Sequence, residues 1–527
     1  MSVATPTTSL APGTRSERLS VPRVLVVVLA GFVLFAGAGL GLYGFVRLIR
    51  TPVVATPVKT KTWFAPYVDV TLPPTYNFQD VLANPAEDAV LGFVVGGGTS
   101  GCTPEWGGEY TMAQAALKLD LDRRIVRLRQ GGGNVMVSFG GAVNNELAVS
   151  CRTTAALAAA YSSVISRYSV TSVDFDLEGT SLTNIAAGTR RAAALAAIQT
   201  GDRSTGHDLS VWVTLPVTPQ GLLSSATTAI AQLLTAHVQL AGINLLTMNY
   251  GGSRPSNLSM VDASMDALTT SAKQIDQIYV AHGDHLTTTQ LHTLMGVTPM
   301  IGQNSVLTDK FPVDQATQFY NRALAYGVGR FSMWSLNRDS PCGGNADQAI
   351  ASNWCSGVLQ TSLEFSHIFA SDTVRLPRGS LPREQTLLGW SNSATLGAAP
   401  YDEWRQLREY VAGARVVWDG EVYESKWWNV GQVPNAVVTY AWDSPWMDVG
   451  PVLPDEATTT TLPPGVAPAW VSTAQYGYGQ RVERKGVLYT AQWQNQGYDP
   501  ASDPDNTWQN PWMPVSPPPG SDYPSSN

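Results

Sequence analysis

Between about residue 62 and residue 371 the chain alternates two hydrophobic patterns. Short apolar runs rich in β-branched residues predict strands, and longer segments with apolar residues at helical spacing predict helices. The strand candidates are residues 63–70, 89–95, 134–139, 172–178, 210–215, 243–250, 298–302 and 330–335. The helix candidates include residues 112–129, 154–168, 186–198, 221–236, 260–278 and 313–326. Eight strands that alternate with helices predict an α/β fold, a (β/α)8 TIM barrel.

The fourth strand candidate carries an acidic face. Successive side chains of a strand point to opposite faces, so Asp174, Asp176 and Glu178 share one face and three apolar residues share the other. Carboxylates repel each other and resist burial, so folding alone gives no reason for this pattern. A solvent-facing edge strand or a calcium site would explain it. A catalytic acid cluster at the C-terminal end of a buried parallel strand would explain it as well.

Other strand candidates also end in polar or aromatic groups. The third ends in Ser-Phe-Gly-Gly at 138–141, the sixth in Met-Asn-Tyr-Gly at 248–251, and the eighth in Met-Trp-Ser at 333–335. The C-terminal ends of barrel strands surround one cleft, so we expect these groups to face the acidic residues. Such convergence is harder to explain by packing than any one motif, and it favours a catalytic cluster.

The C-terminal region contains an internal repeat. An offset of 66 residues pairs positions of two segments without a gap, and the two copies are residues 400–451, termed repeat 1, and 467–516, termed repeat 2. The paired positions include Trp404 and Trp470, Tyr423 and Tyr489, Trp427 and Trp493, Trp442 and Trp508, and Trp446 and Trp512. A Thr- and Pro-rich linker at 452–466 separates the copies, residues 372–399 form a second linker, and 517–527 form a tail. We expect two small all-β modules whose aromatic residues partly form their cores.

The N-terminal region predicts a membrane anchor. Residues 1–23 are polar and are expected to be a disordered cytoplasmic segment, and 24–46 contain no charged residue. About 20 apolar residues suffice to cross a bilayer as a helix. The pattern favours a single-pass signal anchor with the remaining chain outside the cell, and a secreted protein cleaved near residues 53–55 is the alternative.

Composition limits the classes of partner. The net charge of −8 argues against nucleic acid, and 16 Trp and 19 Tyr suit a protein that binds neutral, extended polymers. Four cysteines in a chain that leaves the cytoplasm suggest two disulfides, and we prefer Cys102–Cys151 and Cys342–Cys355 among the three possible pairings. No CxxC pair and no tight His cluster occurs, so no metal site is expected.

The strand-end motifs make residues 62–371 resemble a family 18 glycoside hydrolase, the bacterial chitinases. The family signature DGxDxDxE aligns with 171–178, and its SxGG motif aligns with Ser138, Gly140 and Gly141. Its Met-x-Tyr motif on strand six aligns with 248–250. Its strand-eight tryptophan aligns with Trp334, and the segment 298–304 resembles strand seven of the bacterial branch. Thr171 and Gly251 stand where the family usually has Asp, so the resemblance is incomplete.

The resemblance implies a retaining hydrolysis in which the acetamido oxygen of the substrate attacks the anomeric carbon. It makes Glu178 the general acid, Asp176 and Tyr250 the partners of the acetamido group, and Asp174 their support. No cofactor or metal is implied. The implied substrate-binding residues are Trp334, Met248, Gln303, Asn304 and Gly140. An endo-β-N-acetylglucosaminidase acting on glycans and a non-catalytic chitin lectin are the alternatives.

The two repeats resemble family 5/12 carbohydrate-binding modules. The residues that carry this resemblance are Tyr423, Trp427 and Trp428 in repeat 1 and Tyr489 and Trp493 in repeat 2. Some of these rings are expected to form the cores, and Trp427 or Trp428 is expected to expose its ring to a sugar in repeat 1. Repeat 2 has Gln494 where repeat 1 has Trp428, so its surface is expected to bind differently. Together the resemblances predict a monomer whose partner is chitin or another N-acetylglucosamine polymer.

Overall fold

The computed structural model describes most of the barrel region and parts of both repeats. The described residues are 62–81, 83–98, 101–204, 208–345, 347–376, 401–438, 443–453, 469–477, 480–484, 487–491, 494–501 and 511–514. The predicted segments 1–23 and 24–46, the two linkers, Trp442, Trp493 and Trp508 lie outside these ranges. Within them, no helix has the length and apolar character that crossing a membrane requires.

A ring of parallel strands forms the first body of the structure. Its strands and their short additions are β1 (Trp63–Phe64), β2 (Tyr67–Asp69), β3 (Ala89–Gly97), β4 (Thr103–Trp106), β5 (Tyr110–Thr111), β6 (Val135–Gly140), β7 (Ser172–Asp176), β8 (Ser210–Thr218), β9 (Gly221–Leu222), β10 (Leu240–Leu246), β11 (Met295–Thr298), β12 (Gly302–Gln303), β13 (Lys310–Phe311) and β14 (Arg330–Phe331). The hydrogen-bonded order is β1-β14-β11-β10-β8-β7-β6-β3, and β2 pairs with β3.

Strands β1 and β2, which together occupy one strand position, close the ring. β1 pairs in parallel with β14 and β2 pairs in parallel with β3, so residues 63–69 connect the two edges of the sheet. The Tyr67 N–H donates to the Met333 carbonyl, and the Val90 N–H donates to the Pro66 carbonyl. Eight strand positions therefore form the ring that the alternating pattern predicts.

Helices cover the outside of the ring. They are α1 (Met112–Leu119), α2 (Leu121–Gln130), α3 (Leu147–Ser150), α4 (Thr154–Tyr168), α5 (Gly179–Thr183), α6 (Ile185–Ser204), α7 (Ser224–Thr235), α8 (Met260–Ala281), α9 (Thr288–Leu294), α10 (Val313–Tyr326) and α11 (Glu364–Ala370). Capping explains several starts, since the Thr111 and Thr287 hydroxyls accept from the backbone N–H three residues later. Gly327, with φ 94°, ends α10 in the left-handed region.

Large side chains fill the interior of the ring. The buried cluster consists of Trp63, Ala65, Tyr67, Val90, Met136, Trp212 and Leu376. The rings of Trp63 and Trp212 meet edge to face with centroids 5.3 Å apart. A Cβ on Gly242 would lie 2.1 Å from the Trp212 ring, so only glycine leaves room for this indole.

The structure contains both predicted disulfides. Cys102 pairs with Cys151 at a Cα–Cα distance of 4.7 Å, and Cys342 pairs with Cys355 at 5.1 Å. The first joins the loop after β3 to the end of α3. The second closes the loop that follows β14.

The two repeats share one strand arrangement. Repeat 1 contains β15 (Glu409–Tyr410), β16 (Arg415–Trp418), β17 (Glu421–Ser425), β18 (Asn429–Val430) and β19 (Trp446–Pro451). Repeat 2 contains β20 (Gln475–Tyr476), β21 (Arg481–Arg484), β22 (Val487–Ala491), β23 (Asn495–Gln496) and β24 (Trp512–Pro514). The sheets β16-β17-β19 and β21-β22-β24 correspond, as do β15-β18 and β20-β23. An edge-to-face Tyr–Trp pair packs in each core, at 5.0 Å for Tyr410–Trp446 and 4.9 Å for Tyr476–Trp512.

Candidate active site

A cavity of about 560 Å³ lies at the C-terminal ends of the ring strands. Its lining includes Tyr67, Phe93, Asp176, Glu178, Met248, Asn249, Met300 and Trp334. These residues come from, or directly follow, strands β2, β3, β7, β10, β11 and β14. The predicted convergence of strand ends on one cleft is therefore present.

Asp174 lies below the cavity and is fully buried. Its Oδ1 accepts hydrogen bonds from the Thr214 hydroxyl at 2.6 Å and from Arg330 Nη1 at 2.8 Å. Its Oδ2 accepts from the Ser138 hydroxyl at 2.7 Å and from the Tyr67 hydroxyl at 2.8 Å. Four donors surround one carboxylate, so Asp174 acts here only as an acceptor.

Arg330 is the charge partner of Asp174. Both side chains have no solvent exposure, and Arg330 is the first residue of β14. The guanidinium also donates to the Tyr67 hydroxyl at 3.1 Å and lies 5.3 Å from the Trp63 ring centroid. A buried charge needs such a partner, so the pair fixes Asp174 in place.

Asp176 reaches the cavity two residues later on the same strand. The side chain is 3% exposed, and its Oδ1 has no hydrogen-bond partner among the residues that the structure describes. Burial raises its pKa well above that of a free carboxyl, and the charges of Glu178 and Asp174 raise it further. Asp176 therefore holds a proton more readily than a free carboxyl does, and its Oδ1 is available to a ligand.

Glu178 stands at the transition from strand to helix. Strand β7 ends at Asp176, the Leu177 N–H still donates to the Thr214 carbonyl, and the Glu178 carbonyl accepts from Leu182 in α5. The side chain lines the cavity, and partial burial raises its pKa. A carboxyl with a raised pKa beside a cavity has the property that a general acid needs near neutral pH.

Trp334 forms an aromatic wall of the cavity. Its ring stacks on Phe93 with centroids 5.5 Å apart and an interplanar angle of 19°. The Trp334 N–H donates to the Pro299 carbonyl, which extends the parallel pairing beyond β14. Two stacked rings at a strand end offer an apolar surface to a ligand.

The structure corrects the placement of Tyr250. Met248 and Asn249 line the cavity, but Tyr250 is 5% exposed and donates through its hydroxyl to Ser264 on α8 at 3.0 Å. The reason is the backbone of Asn249, whose φ of 53° lies in the left-handed region and turns the chain. The strand-like alternation assumed for Met-x-Tyr ends at this turn.

Gln303 and Asn304 are also misplaced by the sequence prediction. Both are buried and neither lines the cavity. The Gln303 amide donates to three backbone carbonyls within 3.3 Å. The Asn304 amide donates to Met300 and Gly302 carbonyls, and its Oδ1 accepts from the Asn249 N–H at 3.1 Å. These amides satisfy backbone groups after β11 and position Asn249 rather than meeting a ligand.

Gly140 supports the site without lining it. Its φ is 104°, and a Cβ there would lie 2.2 Å from the Asp176 carbonyl oxygen. A Cβ on the next residue, Gly141, would lie 2.8 Å from the Phe93 ring. The Ser-x-Gly-Gly motif thus gives Asp174 a donor through Ser138 and lets β6 approach β7 closely.

The sequence departs from the family pattern at Thr171, at Ser172, which stands in place of Gly, and at Gly251. The two positions where the family usually has Asp lie away from the acids. Thr171 precedes β7, whose direction carries the chain towards the cavity, so it lies at the opposite end of the strand from Glu178. Gly251 has a φ of 53° and donates its N–H to Asp309 at 3.0 Å. Neither residue lines the cavity.

Sequence reasoning missed Tyr67, Phe93, Asn249 and Arg330. One signal was available, because an arginine that opens a buried strand needs a buried anion nearby. In the part of the chain that is described, no group of three or more His, Cys, Asp or Glu is arranged to hold a metal ion.

Among the described residues of the repeats, two tryptophans are exposed. Trp427 and Trp428 are 44% and 56% exposed, whereas Tyr423 and Tyr489 are buried in the cores of their repeats. The two tyrosines are therefore among the aromatic residues that form the cores, as expected for some of them. The Trp428 indole donates to Glu409 at 3.4 Å, and Lys426 lies 5.7 Å from the Trp427 ring centroid.

No model of a protein family matches the sequence. A probable bifunctional chitinase/lysozyme of Escherichia coli (strain K12) is 31% identical over 325 residues, which cover 61% of this chain and 36% of that protein. Endochitinase 11 of Metarhizium anisopliae is 30% identical over 293 residues, which cover 55% of each chain. The chain thus spans between about a third and about half the length of the curated relatives it matches.

One solved structure extends the likeness to three dimensions. The catalytic domain of a hyperthermophilic chitinase from Pyrococcus furiosus superposes with a TM-score of 0.51 and 25% identity. The match covers 59% of this chain and 94% of that chain. The comparisons support a glycoside hydrolase, and the ring of strands has the fold of a chitinase catalytic domain.

Proposed function

We propose that this chain is a chitinase that hydrolyses β-1,4 bonds between N-acetylglucosamine units with retention of configuration. The observation that carries the proposal is the pair of carboxyl groups with raised pKa, Asp176 and Glu178, on one cavity. The chitinase names of the sequence relatives and of the solved structure support the same substrate class.

In the proposed first step Glu178 donates its proton to the glycosidic oxygen. The acetamido carbonyl oxygen of the substrate attacks the anomeric carbon as the bond to the leaving sugar breaks, which gives a cyclic oxazolinium ion. The leaving sugar departs with the proton, and Glu178 is left ionised. In the second step Glu178 takes a proton from water as the water opens the ring at the anomeric carbon, which restores the acid.

Asp176 is the proposed partner of the acetamido group. Its Oδ1 lacks a partner among the described residues and belongs to a side chain that lines the cavity, so it can accept the acetamido N–H. This contact would orient the carbonyl oxygen towards the anomeric carbon and stabilise the charge that develops on the ring. Trp334, stacked on Phe93, would cover the apolar face of the sugar.

The decisive test is hydrolysis of colloidal chitin by the wild type and by Glu178→Gln. We expect the wild type to release soluble reducing sugar and the variant to lose at least about a hundredfold in rate. Equally little release by both proteins would mean that the chain binds chitin without cleaving it. Cleavage confined to N-linked glycoproteins would instead identify an endo-β-N-acetylglucosaminidase.

The repeats are proposed to bind the polymer. Exposed, rigid indoles such as Trp427 and Trp428 can stack on sugar faces at low entropic cost. Retention on chitin beads should fall in the variant Trp427→Ala/Trp428→Ala, while hydrolysis of soluble oligomers stays unchanged. Equal retention would remove the binding role from repeat 1.

An extracellular location is proposed as well. Two disulfides suit an oxidising compartment, and a polymer such as chitin is degraded outside the cell. N-terminal sequencing of the mature protein tests whether residues 24–46 remain as an anchor.

A further inference from the structure

Repeat 1 contacts the helical shell of the ring through a set of charged residues. Asp120 lies between α1 and α2 and is 2% exposed. Its Oδ1 accepts from the Tyr401 hydroxyl at 3.2 Å, and its carboxylate pairs with the Arg415 guanidinium. Arg415 also pairs with Glu424 of repeat 1 at 2.9 Å. Asp120, which belongs to the ring domain, therefore takes part in a network of charged and polar side chains of repeat 1.

Helix α2 supplies further contacts. Arg123, which is 1% exposed, donates through Nη1 to the Pro451 carbonyl at 2.6 Å. Its guanidinium lies 5.9 Å from the Tyr401 ring centroid. One helical turn further, Arg127 pairs with Asp448 at 2.8 Å. Buried charges with specific partners fix orientation more strongly than apolar contact does, because any other arrangement leaves a charge unpaired.

The two backbones also approach closely. A Cβ on Gly450 of β19 would lie 2.8 Å from the Arg123 carbonyl oxygen and 2.9 Å from the Arg127 Cβ. Only glycine allows strand β19 to lie this near to α2. Strand β19 therefore packs against α2 in van der Waals contact, as elements do in a protein interior.

Repeat 2 lacks three of the residue types through which repeat 1 makes these contacts. With the offset of 66 residues, Tyr401 corresponds to Ala467, Asp448 to Pro514, and Gly450 to Ser516. The core tryptophans are retained in both copies, and Arg415 corresponds to Arg481. The copies thus share their core and differ at three positions through which repeat 1 meets the ring.

We propose that repeat 1 is a docked part of the ring domain rather than a tethered module, held by a docking face of Tyr401, Arg415, Asp448, Gly450 and Pro451. The ring and repeat 1 move and unfold as one body, and Trp427 and Trp428 keep a fixed orientation relative to the cavity. Repeat 2 cannot make the same contacts with the ring, because it lacks the hydroxyl, the carboxylate and the glycine of the docking face.

The test replaces one charge of the full-length chain. Asp448→Arg places a guanidinium against Arg127, the present partner of Asp448, so it should undock repeat 1. We expect calorimetry to show a separate transition of repeat 1 about 5 °C below the joint transition of the wild type. We also expect small-angle scattering to show a larger maximum dimension. The matched control, Pro514→Arg, places the same charge at the equivalent position of repeat 2 and should leave the joint transition unchanged.

A charge swap separates undocking from misfolding. Arg127→Asp combined with Asp448→Arg restores the ion pair with reversed polarity and should recover the joint transition and the compact dimension. Unchanged behaviour of Asp448→Arg, or no recovery in the double variant, would overturn the proposal. Neither measurement uses chitin, so the result is independent of the proposed hydrolysis and of sugar binding by repeat 1.

Discussion

Strand β7 carries two aspartates, two residues apart, in opposite environments. Asp174 accepts four hydrogen bonds from Tyr67, Ser138, Thr214 and Arg330, and it does not reach the cavity. Asp176 reaches the cavity, and its Oδ1 has no partner within the described structure. The same residue type thus holds the strand in place through hydrogen bonds at position 174 and offers an available oxygen to a ligand at position 176. The protein stabilises the carboxylate of Asp174 with hydrogen bonds and buries the carboxyl of Asp176 with one oxygen unpaired, at a cost in folding stability. Such a cost is expected at a reactive group.

The largest expected effect follows from removing the charge of Asp174. Asp174→Asn keeps the shape of the side chain but leaves Arg330 buried without its anion. We expect the ring to lose about 3–5 kcal/mol of unfolding free energy, measured by urea denaturation. A loss below about 1 kcal/mol would show that the four donors do not depend on the charge, and the contrast with Asp176 would fail.

Asp176→Asn should instead lower turnover strongly in a protein that still folds. The amide cannot accept the acetamido N–H and also balance the developing positive charge, so we expect kcat on soluble chitin oligomers to fall about a hundredfold. Circular dichroism should show a wild-type fold. A comparable loss of stability in both asparagine variants would mean that the two positions are equivalent.

The contrast also predicts an effect of pH on stability. The folded-state pKa of Asp176 is raised, chiefly by burial, so in the interval between its unfolded and folded pKa the native chain binds more protons than the unfolded chain. Stability therefore falls as the pH rises through this interval. Asp176→Asn does not titrate there, and we expect it to be more stable than the wild type at neutral pH by about 0.5–2 kcal/mol. The advantage should disappear below about pH 4, where the wild-type carboxyl is protonated in both states.

Asp262 provides a control, because its pKa is shifted in the opposite direction from that of Asp176. Hydrogen bonds from Arg322 and Ser259 lower its pKa at the surface, at the start of α8. Its contribution to stability is present above the ordinary carboxyl pKa and is lost as the pH falls through the folded-state value. Asp262→Asn should therefore destabilise the protein at neutral pH and have no effect in acid. Parallel pH profiles of the Asp176 and Asp262 variants would contradict the assignment of the Asp176 shift to burial.

The sequence predicted the parts of the site that depend on strand alternation. In the structure Asp174 lies below the cavity, and Asp176 and Glu178 line it. A two-residue period and the direction of a parallel strand suffice to predict this order. The eight strand positions followed from the same pattern. The strand predicted at 298–302 was placed too late, since β11 is Met295–Thr298. Buried apolar residues continue after the strand at Met300 and Ile301, so the apolar pattern does not mark its end.

The remaining errors arise where the backbone leaves the strand geometry. A left-handed turn at Asn249 sends Tyr250 towards α8, and no periodicity signals such a turn, although asparagine tolerates it. Gln303 and Asn304 were assigned by their polarity, which does not distinguish an amide that meets a ligand from one that satisfies buried carbonyls. The partners of Asp174 are distant in sequence, since Tyr67 lies 107 residues and Arg330 lies 156 residues away. Only the closed ring brings them together.

The smallest expected effect comes from Tyr250, and it shows whether Asp176 depends on the phenol. Tyr250→Phe removes one buried hydrogen bond to Ser264 and adds no charge, so the unfolding free energy should fall by about 1 kcal/mol. Because the ring lies outside the cavity lining, kcat on soluble oligomers should stay within about a factor of two of the wild type. The matched variant Ser264→Ala removes the same bond from the other side and should reproduce both values. A loss of kcat close to that of Asp176→Asn, in Tyr250→Phe alone, would mean that the phenol turns into the cavity when substrate binds and acts beside Asp176.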